Sequence, residues 1–231
     1  MNSVLRAMRI ELLTWPASLV WCWAILAVSF AVNLALFGII HNNMTEDPTT
    51  GGVASIYLML SIISSARIAQ FFPFTLGLSV TRRAFYAATT LLLLGESLAF
   101  GIGLYLLALL ERATGGWGMS LHFFQLPFMG WHNAAAQILI YVVPLLVVGA
   151  MGTFAAVIFQ RWRTNGLFTL MLGTILVLGG VTALVSWRQQ WTAIGNWLAD
   201  QSVVALIAGW PALLAVVLAA GGYLAIRRAT A

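Results

Sequence analysis

The sequence predicts an all-α membrane protein: six transmembrane helices behind an N-terminal amphipathic interfacial helix, with both termini cytoplasmic. Three observations predict this. Of 231 residues, 61% are hydrophobic and only 7% charged, against about 25% charged in a soluble domain, so the lipid bilayer is the natural solvent. Apolar windows of about 20 residues recur six times. Arginines cluster in alternate connections between those windows. Helices are required because unpaired backbone groups are too costly in lipid, and the alternation expected of a barrel is missing.

Residues 1–16, "MNSVLRAMRIELLTWP", form the amphipathic segment. Val4, Leu5, Met8, Leu12 and Trp15 share one helical face and Arg6 and Arg9 another, with Ile10 and Leu13 straying to the polar side. Such a helix lies along the membrane surface with its arginines toward anionic headgroups. Residues 17–231 form the bundle, with spans near 18–40, 52–72, 85–110, 134–159, 166–187 and 203–226. Each is long enough to cross a hydrocarbon core of about 30 Å. Pro144 and Pro211 fall inside spans, where bundles tolerate kinks, and small residues in "SIISSA" and "GIG" permit close helix contacts. The first apolar run is longer than a signal-peptide core and lacks a small-residue cleavage site, so no cleaved leader is expected.

Orientation follows from arginine, since no lysine is present. With the N-terminus inside, Arg6, Arg9, Arg82, Arg83, Arg161, Arg163, Arg227 and Arg228 all face the cytoplasm. Arg112 and Arg188 face out with Glu46, Asp47, Glu111 and Asp200, and Arg67 lies within a span. That is a strong positive-inside bias, so both termini are expected in the cytoplasm; for this multi-pass chain a plasma (inner) membrane location is expected. Eight of ten tryptophans (15, 117, 131, 162, 187, 191, 197 and 210) lie near span ends or in loops, as interfacial indoles do.

Several function classes are disfavoured. Without lysine there is no phosphate-loop motif and no Schiff base. The arginines are scattered in pairs, so no nucleic-acid face is expected. Cys22, the single cysteine, reads as a small buried thiol. His41, His122 and His132 show no metal-ligand spacing, so no metal is expected. "GLSV" at Gly77 lacks the second glycine of a serine-protease GxSG, no histidine is buried as its base, and Asp200 stands alone, so an enzyme is not expected.

Two ionisable residues lie in the hydrocarbon, Arg67 in "SSARIAQ" and Glu96 in "LLLGESLAF". Counting from the cytoplasmic span ends puts them about 10–13 Å and about 16 Å deep. The match suggests an intramembrane ion pair fixing spans two and three. The alternatives are a snorkelling Arg67 beside a protonated Glu96, or Glu96 as a proton carrier. Asn33, Ser61, Ser64 and Gln137 are polar residues that could line a cavity or serve packing. Trp187, Trp191, Ile194 and Leu198 recur at helical spacing between spans five and six, either as a short helix dipping into the outer interface or as a plain connector. The first outer loop, "HNNMTEDPTTGG", is turn chemistry.

The break "QFFPFTLGLSVTRRAFYAA" carries Pro73 and Gly77, which are expected to end span two, then Leu76, Leu78, Val80, Arg82 and Arg83. "FPFTLGLSVTRRAFYAATT" and "LLALLERATGGWG" are similar to runs in the permease subunits of export-type ABC transporters of the six-span type V class, in actinobacterial-like form. That resemblance spans essentially the whole chain. It implies that the cytoplasmic loop at about 73–85 is a coupling helix docking on a separate ATPase subunit through Phe74, Leu76, Leu78, Val80, Arg82 and Arg83. It further implies two ATPase copies holding ATP and Mg²⁺, and a second permease copy (a homodimer or a similar permease). The outer gate would be at 187–199, and the cargo a drug, lipid or peptide. An ion-coupled secondary transporter using Glu96, and a non-transporting scaffold or sensor subunit, are the alternative readings.

Overall fold

The computed structural model describes residues 3–12, 15–40, 49–78, 80–125 and 133–227. His41, Glu46, Asp47, Ser79, Trp131, His132 and Arg228 lie outside them, as does Leu13, and the side chains of Val4 and Ile10 are likewise not described. The described chain is helical throughout: α1 (Ser3–Leu12), α2 (Trp15–Ile40), α3 (Ala54–Gly77), α4 (Arg82–Ala113), α5 (Ala134–Trp187), α6 (Trp191–Ala199) and α7 (Trp210–Ile226). Five helical stretches are long and apolar enough to cross a membrane: α2, α3, α4, α5, and α7 together with the π-helical turn before it.

α5 has 54 residues. Unbroken, it would run about 80 Å, more than twice a hydrocarbon core. It is broken at Arg163, whose φ of 53° and ψ of −148° leave the helical region. A methyl group on Gly166 would lie 3.1 Å from Ile158 Cγ2, although eight residues of straight helix rise about 12 Å. The axis therefore turns sharply, dividing α5 into a first arm (134–162) and a second arm (164–187).

The first arm is the centre of the bundle. It packs against α3, α4 and α7, while α2 packs on α3 and α1 on α4. Small residues set these approaches: a methyl group on Gly152 would overlap the Ser61 backbone carbonyl of α3, and one on Gly101 would reach the Val142 backbone at 3.1 Å. Two principal clusters result. One joins Leu60, Phe100, Leu104, Phe123 and Tyr141. The other gathers Ala7, Val80, Phe85, Val157 and Ile226 at the end where the α3–α4 turn, the α5 break and the α7 terminus meet. We call this the arginine end.

Pro73 does not end α3, contrary to the sequence expectation; the helix runs on to Gly77. Proline removes one N–H and so frees the carbonyl four residues earlier. Gln160 Nε2, from the first arm, donates to that Ala69 carbonyl at 3.2 Å, a repair that neighbouring helices supply within bundles. The α3–α4 connection is thereby only the turn around 78–81, shorter than the loop expected at 73–85. Pro211, by contrast, lies where the π-helical turn Ala205–Gly209 passes into α7, the kind of local adjustment by which a bundle helix accommodates proline.

α1 also differs from a helix lying free on the surface. Its buried residues include Ala7 and Glu11, one turn apart, while Leu5 and Leu12 face outward and Arg6 and Arg9 remain exposed. The opposite end of the bundle is capped by the segment after α4. Glu111 accepts from Trp117 Nε1 (3.2 Å) and from the backbone N–H groups of Phe123 (3.0 Å), Phe124 (2.8 Å) and Gln125 (3.1 Å). Tyr141 Oη donates to the Phe124 carbonyl at 3.0 Å, and Thr50 N–H to that of His122 at 3.2 Å. Glu111 is thus an anchor rather than an open loop residue.

Candidate functional site: a buried ion cluster and a basic turn

Arg67 Nη2 lies 2.6 Å from Glu96 Oε1, and both side chains are fully buried. They approach because α3 and α4 run antiparallel from one tight turn and both lean on the first arm of α5. Ser18 of α2 donates to the same carboxylate oxygen at 2.7 Å. Seven residues before Glu96 on α4, Thr89 donates to Glu11 Oε1 of α1 at 2.6 Å. Four helices therefore contribute to one buried polar cluster.

The cluster holds two carboxylates and one guanidinium. Burial pushes the Glu11 carboxyl up to about 7; the Thr89 hydrogen bond and then the Arg67 charge pull it down, and the Glu96 charge pushes it up. Near neutral pH, Glu11 is poised between its two forms. Ion pairs removed from water contribute little net stability but strongly penalise removal of one partner, so an arrangement of α3 and α4 that parted the two charges would be disfavoured. Glu11, Ser18 and Thr89 were not singled out from the sequence. The available signal was an acid on the same face of α1 as Ala7, one turn away.

At the basic turn, Thr81 caps α4 by accepting from Ala84 N–H at 3.3 Å. Phe74 and Leu78 are exposed, Leu76 is half-buried and Val80 is buried. Val80 therefore belongs to the core rather than to a docking surface. Arg82 and Arg83 line a cavity of about 520 Å³ together with Thr81 and Arg227.

The remaining candidates do not converge. Asn33 sits at the capped end, accepting from Thr50 Oγ1 at 2.6 Å and donating to the Ser29 carbonyl at 2.8 Å. Ser61 packs on Gly152, Ser64 lies buried on α3 one turn before Arg67, and Gln137 is buried near the start of α5. Trp187 ends α5, whereas Trp191, Ile194 and Leu198 belong to α6. A turn with Gln189 at φ 54° separates them, so the four do not share one helix. Among the described residues no group of three or more His, Cys, Asp or Glu side chains could hold a metal. Cys22 is buried in the core. No family model, curated protein or solved structure matches the chain in comparison.

Proposed function

We propose that the chain is the membrane-spanning permease subunit of an ABC exporter, moving a hydrophobic or amphipathic substrate with energy from a separate ATPase. It crosses the plasma membrane six times, the two arms of α5 counting as two spans, with both termini cytoplasmic. It is not itself an enzyme; ATP and Mg²⁺ reside on two ATPase subunits, and a second permease copy completes the pathway. The observation that carries this reading is the junction of α3 and α4, where exposed Phe74 and Leu78 at the end of α3 are followed within a few residues by Arg82 and Arg83 at the start of α4. An apolar knob beside fixed positive charge is a surface that an acidic partner groove recognises, and the antiparallel α3 and α4 behind it would carry a push into the bundle. The resemblance of this stretch to permease coupling loops supports the same reading.

Affinity purification of the tagged chain from its native membranes tests it. A stoichiometric ATPase should copurify, and replacing Arg82 and Arg83 together by glutamate should release that ATPase or uncouple its hydrolysis from transport. Unchanged binding and turnover would remove the coupling role. The second reading, Glu96 as a proton carrier, draws on the burial of that carboxylate. Its bonds to Arg67 and Ser18 suit a packing role better than a carrier. Transport that collapses with a proton uncoupler while ATP is intact would favour the carrier.

A further inference from the structure

Three cavities adjoin at the arginine end. The first, described above, is lined by Thr81, Arg82, Arg83 and Arg227. The second, about 480 Å³, shares Arg227 with it and adds Arg161 beside apolar Phe154, Ile158 and Leu224. The third, about 760 Å³, shares Ile158 and Trp162 with the second and continues along the second arm past Leu170 to Val177. A basic entrance thus leads into an apolar groove.

Four guanidinium groups line this system and no described carboxylate does. Glu11, Glu96 and Glu111 are engaged elsewhere. Arg82, Arg83 and Arg227 share one hollow, and Arg161 and Arg227 the next; like charges so gathered repel unless an anion sits between them. Guanidinium also presents a planar fork that matches phosphate oxygens. Two of the four lie over aromatic rings, Arg161 with its Cζ 4.0 Å from the Trp162 ring centre and Arg227 at 5.8 Å from that of Tyr223. Those contacts restrain the guanidiniums before any ligand arrives.

We propose that the arginine end binds one anionic phospholipid, its phosphate among Arg82, Arg83 and Arg227, with Arg161 beyond them and an acyl chain along the groove past Ile158 and Trp162. Charge complementarity at the entrance and the apolar walls behind it select an amphiphile over a free anion. The site uses the same Arg82 and Arg83 that the coupling turn would offer an ATPase, and lipid preference is measured on the chain alone, so the two readings fail separately.

The test uses the full chain in mild detergent, titrated with phosphatidylglycerol and with phosphatidylcholine carrying the same brominated acyl chains, which quench tryptophan fluorescence. Phosphatidylglycerol should bind roughly tenfold more tightly. That preference should vanish in R82Q/R83Q/R227Q and persist in R112Q/R188Q, which depletes charge away from the arginine end. Trp162→Phe should remove the largest share of the quenching. If the triple variant fails to fold, the exposed Arg227→Gln alone should still lower the preference. Equal binding of the two lipids would overturn the proposal, as would displacement by inorganic phosphate at an affinity matching the lipid's. Arginine-dependent capture of the ATPase without any lipid preference would also overturn it, assigning the cluster to a protein partner.

Discussion

The two arms of α5 are alike in composition and opposite in surroundings. The first buries residues on nearly every turn from Gln137 to Ile158; beyond Gly166, the second buries none. Glycine shows the difference most directly. A methyl group on Gly149 would strike Leu93, and one on Gly152 would strike α3, whereas Gly173, Gly179 and Gly180 have nothing within 4 Å. In lipid, apolar side chains gain nothing by leaving one another for the bilayer or returning, so association rests on close packing and polar contacts. The first arm has both, through its glycines and the Gln160 bond to Ala69. The second arm carries small residues and no protein neighbour along most of its length. Hydropathy alone therefore does not determine which helix is central.

The sharpest way to break the comparison is to remove the charge balance that holds the packed side. Glu96→Gln leaves Arg67 buried without its counter-charge, which should cost about 3–5 kcal/mol. Thermal or denaturant unfolding in detergent would register it as a marked loss of stability. The double variant with methionine at both positions should recover most of that loss, because the penalty comes from the orphaned charge and not from the missing bond. Failure of the double variant to recover would mean that the pair itself, rather than its balance, sustains the fold.

Glycine substitutions sharpen the contrast at smaller amplitude. Gly152→Val forces a Cβ against the Ser61 carbonyl, with two methyl groups beyond it, and should destabilise by about 1–3 kcal/mol. Gly173→Val, placed in open space, should leave the stability of the single chain unchanged. Parallel melting curves would decide it. A loss at Gly173 as large as that at Gly152 would show that the second arm is packed in the membrane, against a copy of the chain or against its own bundle.

Much of the frame was legible from the chain. Long apolar windows fix where helices cross, and counting rise per residue puts Arg67 and Glu96 at comparable depth. Other features were not legible, for physical reasons. Pro73 reads as a helix end because its own sequence cannot reveal that Gln160, roughly ninety positions later, would satisfy the freed carbonyl. Three of the donors around Glu111 are backbone N–H groups, which have no residue signature. Arg227 joins Arg82 and Arg83 only once α7 has returned to the same end. Trp187 keeps helical spacing with Trp191, but the intervening turn places them on different helices.

The docking of α1 gives the mildest and most conditional of these contrasts. Glu11 is buried beside Thr89, and its carboxyl is pushed up from 4.5 to about 7. Docking therefore takes up a proton between those values. Attachment of α1 should be firmest below about pH 4.5, weaken as pH rises toward 7, and change little beyond. A cysteine at Ala7, which is fully buried, in a Cys22→Ser background would report this as labelling that quickens across that window once divided by the rate at an exposed cysteine, which removes the effect of thiol ionisation. Glu11→Gln should flatten the profile while keeping an oxygen for Thr89, whereas Arg9→Gln, at an exposed position on the same helix, should leave it intact. Equal pH dependence in the Glu11→Gln chain would rule Glu11 out as the titrating group. A flat profile in the parent would mean that α1 stays docked in both charge states, as firmly a part of the packed side as the first arm.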